Sequence, residues 1–307
     1  MENNAIFGLK FAQRENMFAI CPLSVVPLRS HPSEKSEMIS QLLFGEVVEI
    51  IAILPHNTKL NKRWCQVRCT WDNYVGWVSA KQIHLLDEDH ADTLKEVFPM
   101  SLEIMQPVMA SNYSIPITLG ASLPYFDGIQ FKIGQTRFTF SGLAINPQQI
   151  IPSTEILVKI AKKYLFAPYL RGGRSPFGID SAGLVQMCFK AMNIPLFRTA
   201  REQAEQGNLV DFVQTAQPGD LAFFDNTVGK IIHVGIILPD SMILHAFGNV
   251  KIDFLDHFGI FDLTEKKYTH KLRIVRRLLV DVPTSQFSIK VNAEKELTEV
   301  ENELSLF

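Results

Sequence analysis

Between Gly172 and Lys190 the chain reads GGRSPFGIDSAGLVQMCFK, a glycine-rich loop that runs directly into an apolar-periodic segment. Leu184, Val185, Cys188, Phe189 and Met192 fall on one stripe that closes before Pro195, the spacing of a helix with one buried face. Asp180 is a good N-cap, which makes Ser181 the first helical residue. Such a helix needs a partner layer, and the sequence around it supplies one. STEILVKIAKKYL repeats apolar residues at Ile156, Ile160 and Tyr164, and TAREQAEQG predicts a short helix stopped at Gly207. Strand-like runs follow: DLAFF, HVGIIL, SMILHAF, NVKIDF and KLRIVRRLLV. Helices followed by strands predict an α+β domain over residues 151–280.

A chain of 307 residues has room for more than that domain. Residues 18–86 carry short strand-like runs separated by turn signals (FAICPLSVVPL, GEVVEIIAIL, RWCQVRCTW, YVGWVSAKQIHLL), the pace of a small β-barrel. Asp87–Val97 reads as a charged connector with one short helix. Over 99–150, ITLGASLPYFDG and IQFKIGQTRFTFSG predict a second β module, and 281–307 is an acidic tail with six acids against two lysines. The net charge of −2 leaves no footprint for nucleic acid or an anionic membrane surface. No apolar run has transmembrane length, and the N-terminal stretch lacks a basic segment followed by a long apolar one, so a cytoplasmic protein is expected, or a periplasmic one if a signal has been trimmed. The four cysteines form no CxxC pair and no Cys/His set has zinc-ligand spacing. They read as small apolar side chains in a reducing compartment, and neither a metal nor another cofactor is expected.

Two histidines can be placed by counting. His233 opens HVGIIL, His245 lies in SMILHAF, and LPDS between them is a turn signal. A hairpin centred on Pro239 would set the two histidines opposite each other, with Cβ atoms roughly 5 Å apart. One imidazole then accepts a proton while the other orients it. The alternative is two unrelated histidines, one in the core and one exposed. Ser181 has two readings as well. It is an ordinary first helical residue, or a nucleophile in the positive field of a helix N-terminus, a field that favours a thiolate far more than an alkoxide. Cys188 lies on the same helical face but about 10 Å deeper, and reads as core.

YLRGGRSPFGIDSAGLVQ, QPGDLAFF, HVGIIL and ILHAFG, in this order, resemble the NlpC family of bacterial cell-wall cysteine peptidases over Ser153 to Val280. VVPLRSHPSEKSEMISQLLFGE resembles the first SH3-like module of the γ-D-glutamyl dipeptidyl peptidases, a branch that recycles murein peptides. The resemblance implies two SH3-like β-barrel modules followed by a papain-like NlpC-type α+β domain. It puts the nucleophile's place at Ser181, the general base at His233, the orienting residue at His245 and an oxyanion contributor at Tyr169. For the substrate's free amine it implies Asp180, Glu37 and Tyr74; without it, Glu37 reads as a solvated loop acid. Ala182 stands where the family has a serine that can bond the substrate.

The departures from the family pattern are Ser181 for cysteine, Ala182 for serine, Arg171 for an aromatic, and Phe247 for a small residue. Arg198 and Arg201 read either as holders of a substrate carboxylate or as surface charges. The expected partner is a murein peptide, cleaved after γ-D-Glu in L-Ala-γ-D-Glu-diamino acid peptides. The alternatives are a pseudoenzyme that keeps the peptide pocket without turnover, and an acyltransferase or amidase that uses the same triad.

Overall fold

The computed structural model describes residues 17–54, 63–86 and 97–279. The tail from Asp281, and the connector expected over Asp87–Val97 except for its last residue, lie outside them. The first unit is an antiparallel sheet in the order Met38–Leu43, Val25–Arg29, Val75–Ser79, Trp64–Cys69, Val47–Ile53, Met17–Ile20, His84–Leu85. Alternation along WCQVRC turns Cys65, Val67 and Cys69 inward against Ala19, Val26, Leu28, Leu42, Val48 and Val78. All four cysteines are free and buried. Burial pushes the Cys21 thiol up to about 12 and raises the other three, which suits the apolar role expected for them.

The second unit is a four-stranded antiparallel sheet, Ser114–Thr118, Met105–Met109, Thr136–Thr139, Gln130–Ile133. The Met105–Met109 strand contains Pro107, a residue that cannot donate to a ladder. It pairs because Pro107 lies directly opposite Pro116, a position at which neither residue needs an N–H for the ladder. The units share a core. Phe44 of the first makes edge-on contacts with Phe131 and Phe138 of the second, at ring-centre distances of 5.9 and 5.8 Å. Gly45 (φ +75°) lets the chains approach, since a Cβ there would lie 1.9 Å from the Ser122 carbonyl oxygen.

In the third unit three helices, α1 (Thr154–Lys162), α2 (Ser181–Lys190) and α3 (Ala200–Gln203), precede most of the strands, as expected. The sheet runs Asn208–Val210, Lys267–Arg277, Leu221–Asp225, Ile231–Leu238, Met242–Phe247, Asn249–Leu255, Gly259–Asp262. The long Lys267–Arg277 strand also pairs with Gly259–Asp262, which closes the sheet on itself. All ten residues of α2 are buried. The predicted stripe contacts the core of the third unit, and the other face meets the first unit through polar groups. Lys190 and Arg174 share the carboxylate of Glu46, Gln186 donates to Asp72, and Arg198 Nε donates to Ser40 Oγ. Burial would raise the Glu46 carboxyl, but the two cations outweigh it and hold it at about 2. Among the described residues, no helix is long and apolar enough to cross a membrane.

Candidate active site

Asp180 caps α2 as expected. Its Oδ1 accepts the Gly183 N–H at 2.7 Å, which leaves the Ser181 and Ala182 amides at the open end of the helix. Gly172 (φ +79°) turns the preceding loop against the first unit, where a Cβ would lie 2.4 Å from the Met38 carbonyl oxygen. Ser181 thus sits in a cleft of about 860 Å³ between the two units. The cleft brings together six of the expected residues: Glu37 and Tyr74 from the first unit, and Tyr169, Asp180, Ser181 and Ala182 from the third. Burial raises the Tyr74 and Tyr169 phenols, so both are neutral donors at neutral pH.

Two of these side chains are already engaged. Asp180 accepts from Gly172 N and Gly183 N, and from both terminal nitrogens of Arg198 at 2.8 and 2.9 Å. That fills the acceptor capacity of a carboxylate. Glu37 is ion-paired with Arg171 at 2.8 Å, both side chains being exposed. Arg198 corrects the sequence reading on either of its branches. It is 2% exposed and bonded to Asp180, Ser40 and the Gly173 carbonyl, so it is neither a free carboxylate holder nor a surface charge. Arg198 and Arg201 both line the cleft.

His233 and His245 lie on strands that pack against α2, and both are buried. The hairpin register differs by one step from the count. Gly235, not His233, stands opposite His245, and the turn centres on Asp240, with Asp240 and Ser241 both at positive φ. The parity survives, so the histidines share a face and meet on the diagonal. His233 Nε2 and His245 Nδ1 are 2.9 Å apart with the rings at 89°. Gly235 makes the diagonal possible, because a Cβ there would lie 2.7 Å from Ile243 and 3.1 Å from the His245 Cβ. No hydrogen bond links Ser181 to His233 among the described residues. A contact of this kind is often long before substrate binds.

The sequence reading missed two members of the site. Asp253 lies 3.1 Å from His245 Nε2 and continues the diagonal onto a third strand. Burial would raise its carboxyl, but hydrogen bonds from His245, Leu263 and Lys251 hold it at about 2. Counting outward from Gly248 puts His245 opposite Lys251 and Asp253 one step along, so its signal was available. His270 stacks on His233 with ring centres 4.1 Å apart and planes at 25°. No count reveals it, because its strand reaches His233 only across Leu221–Asp225. Burial pushes His270 down to about 4, and burial together with both neighbouring histidines holds His233 well below the usual range. Ring nitrogens of His233, His245 and His270 lie within 4.8 Å of one another. The face-to-face rings aim their in-plane lone pairs side by side, though, and a metal needs them to converge.

Ser181 is thus the first residue of a helix capped by Asp180 and lines an open cleft, and the bonded histidine pair sits on strands packed against that helix. Residues 167–277 match the NlpC/P60 family and residues 28–83 the bacterial dipeptidyl-peptidase SH3 domain. The chain is 26% identical to dipeptidyl-peptidase 6 of Lysinibacillus sphaericus, over 78% of this chain and 92% of that one. It is 41% identical to a probable endopeptidase of Haemophilus influenzae, over 41% of this chain and 77% of that one. A γ-D-glutamyl-L-lysine dipeptidyl-peptidase of Bacillus subtilis is 34% identical over 46% of each chain, so this chain spans about half of that relative. A solved NlpC/P60 family protein from Bacillus cereus has the same fold, with a TM-score of 0.70 at 20% identity, covering 86% of this chain and all of that one. The chain belongs to the NlpC/P60 family of peptidases, with an SH3 domain ahead of its NlpC/P60 domain.

Proposed function

We propose that this protein is a murein-peptide endopeptidase for the bond after γ-D-Glu in L-Ala-γ-D-Glu-diamino acid peptides with a free N-terminus. The observation that carries this reading is the cleft, in which Ser181 at the open end of α2 faces Glu37 and Tyr74 of the SH3 domain. A wall on that side leaves room for a short N-terminal segment, so a dipeptide is what the site releases. The residue at 181 attacks the γ-carbonyl and His233 takes its proton. The oxyanion forms beside the first α2 amides and Tyr169, and His233 returns the proton to the leaving amine. Water then hydrolyses the acyl-enzyme by the same route in reverse. His245 orients His233. The ammonium of the substrate displaces Arg171 from Glu37 and bonds Tyr74, while Asp180, its acceptors filled, contributes charge and holds the end of the helix. Ala182 lines the cleft without a hydroxyl to offer. Residues 18–86 and 99–150 are in this reading two SH3-like modules before a papain-like domain at 151–280.

A second reading, a binding protein without turnover, is favoured by one observation. Ser181 needs a strong base, and His233 is held neutral with a depressed basicity. Ala182 and Phe247 point the same way. Calorimetric titration with L-Ala-γ-D-Glu-L-Lys and with its N-acetylated form tests what the two readings share. Binding of the free amine that is lost on acetylation is expected. Equal affinity would remove the amine site, and no binding of either peptide would sink both readings.

A further inference from the structure

We propose that Asp253 is a positioning residue of this site, one that fixes the tautomers of His245 and His233 and so selects Nδ1 of His233 as the proton-accepting atom. The inference rests on the reading of His233 as the base. Asp253 is 2% exposed, and each of its oxygens meets a donor. Oδ1 accepts the Leu263 N–H at 3.0 Å, and Oδ2 lies 3.0 Å from Lys251 Nζ and 3.1 Å from His245 Nε2. Lys251 also pairs with Asp262, which keeps the ammonium at the end of this strand.

A carboxylate among such donors is ionised and can only accept, so Nε2 of His245 carries a hydrogen. A neutral imidazole has one donor and one acceptor, which makes Nδ1 of His245 the acceptor. That atom lies 2.9 Å from Nε2 of His233, so Nε2 of His233 must donate. The lone pair of His233 is thereby left on Nδ1. One buried charge, two strands away from the base, decides the protonation of both rings. The stacked His270 ring covers one face of His233 and holds the plane in which that lone pair points.

The competing account is structural: Asp253 neutralises Lys251 and ties its strand to Leu263. Asp253→Asn separates the two, since it keeps the shape and one acceptor. Leu263 N–H takes that acceptor, and the amide N–H₂ then faces His245 Nε2. Both rings would reverse, which puts the proton of His233 on Nδ1. The measurement is ¹⁵N NMR of histidine-labelled full-length protein above pH 7, which reads the tautomers without turnover. The parent should show both His233 and His245 protonated at Nε2, and Asp253→Asn should show both protonated at Nδ1. Lys251→Met disturbs the same charge cluster but leaves the acceptor, and should keep the parental tautomers. In a Ser181→Cys background, Asp253→Asn should lower kcat by roughly 10³- to 10⁴-fold with KM little changed. A folded Asp253→Asn protein with parental tautomers overturns the proposal, and so does reversal by Lys251→Met alone. If Asp253→Asn does not fold, the parent spectrum decides, because a proton on Nδ1 of His233 overturns it equally. Parental tautomers as expected, with no peptide release by Ser181→Cys, would instead count against the proposed function.

Discussion

Glu46→Gln should be among the most damaging conservative substitutions in this protein, although it lies outside the cleft. The carboxylate is buried between the SH3 and NlpC/P60 domains. It accepts from Arg174 at 2.8 and 2.9 Å, from Lys190 at 2.6 Å and from the Leu43 N–H at 2.9 Å. Side-chain exposure is 3% for Arg174 and 8% for Lys190, so neither cation can turn to water. Breaking one buried pair strands a charge at about 3–5 kcal/mol, and here one substitution strands two. The loss has a ceiling, because burial already lowers the Lys190 ammonium and it can shed its proton. We therefore expect a loss of about 4 kcal/mol, or roughly 6 °C in Tm for a chain of this size. Calorimetry should show one transition in the parent and two in Glu46→Gln, as the domains lose their shared charge. Adding Lys190→Met removes one stranded cation and should recover at least about 1 kcal/mol. A cavity of about 330 Å³ borders all three groups. If water in it screened them, Glu46→Gln would cost under about 1 kcal/mol and the second substitution would recover nothing. That result would refute the reasoning.

Gly235→Ala should fold but separate the histidine pair. The added Cβ at 2.7 Å from Ile243 pushes on the strand that holds His245, and loss of the His233–His245 coupling in histidine NMR would report it. Stability should fall as the pH is lowered from about 6.5 to about 4. Burial depresses His270 to about 4 and lowers His233 and His245, so their contribution is complete above the unfolded value and is lost as pH falls through the folded one. His270 alone is worth on the order of 3 kcal/mol by this linkage. Urea midpoints that are flat across that window would mean the three rings are hydrated.

The helix ends and the histidine face were legible because each is a local rule. An Asp cap, an apolar stripe and a shared strand parity survive whatever the rest of the chain does. The count missed the exact register because it centred the turn on Pro239, whereas Asp240 and Ser241 take positive φ and the turn centres on Asp240. Arg198 was misread for a different reason. From sequence it is one charge on a short helical segment, and its burial depends on Ser40, 158 residues away. His270 and the Glu46 junction were hidden likewise, since both depend on which strands and domains become neighbours. The Met105–Met109 strand carries a proline, which argues against a strand except where the partner position also needs no donor.

The central claim is that position 181 is a nucleophile's place, served by His233. The most direct measurement is the release of free lysine from L-Ala-γ-D-Glu-L-Lys over time, at neutral pH, by the chain as it stands, by Ser181→Cys, and by Ser181→Cys with His233→Ala. A thiol at the helix N-terminus can form an ion pair with His233, a pairing that the hydroxyl cannot make. The account predicts little or no release by the Ser181 form, release of dipeptide and lysine by Ser181→Cys, and none when His233 is also removed. A Ser181→Cys protein that folds and binds the peptide but releases nothing, or that still releases it without His233, would contradict the account.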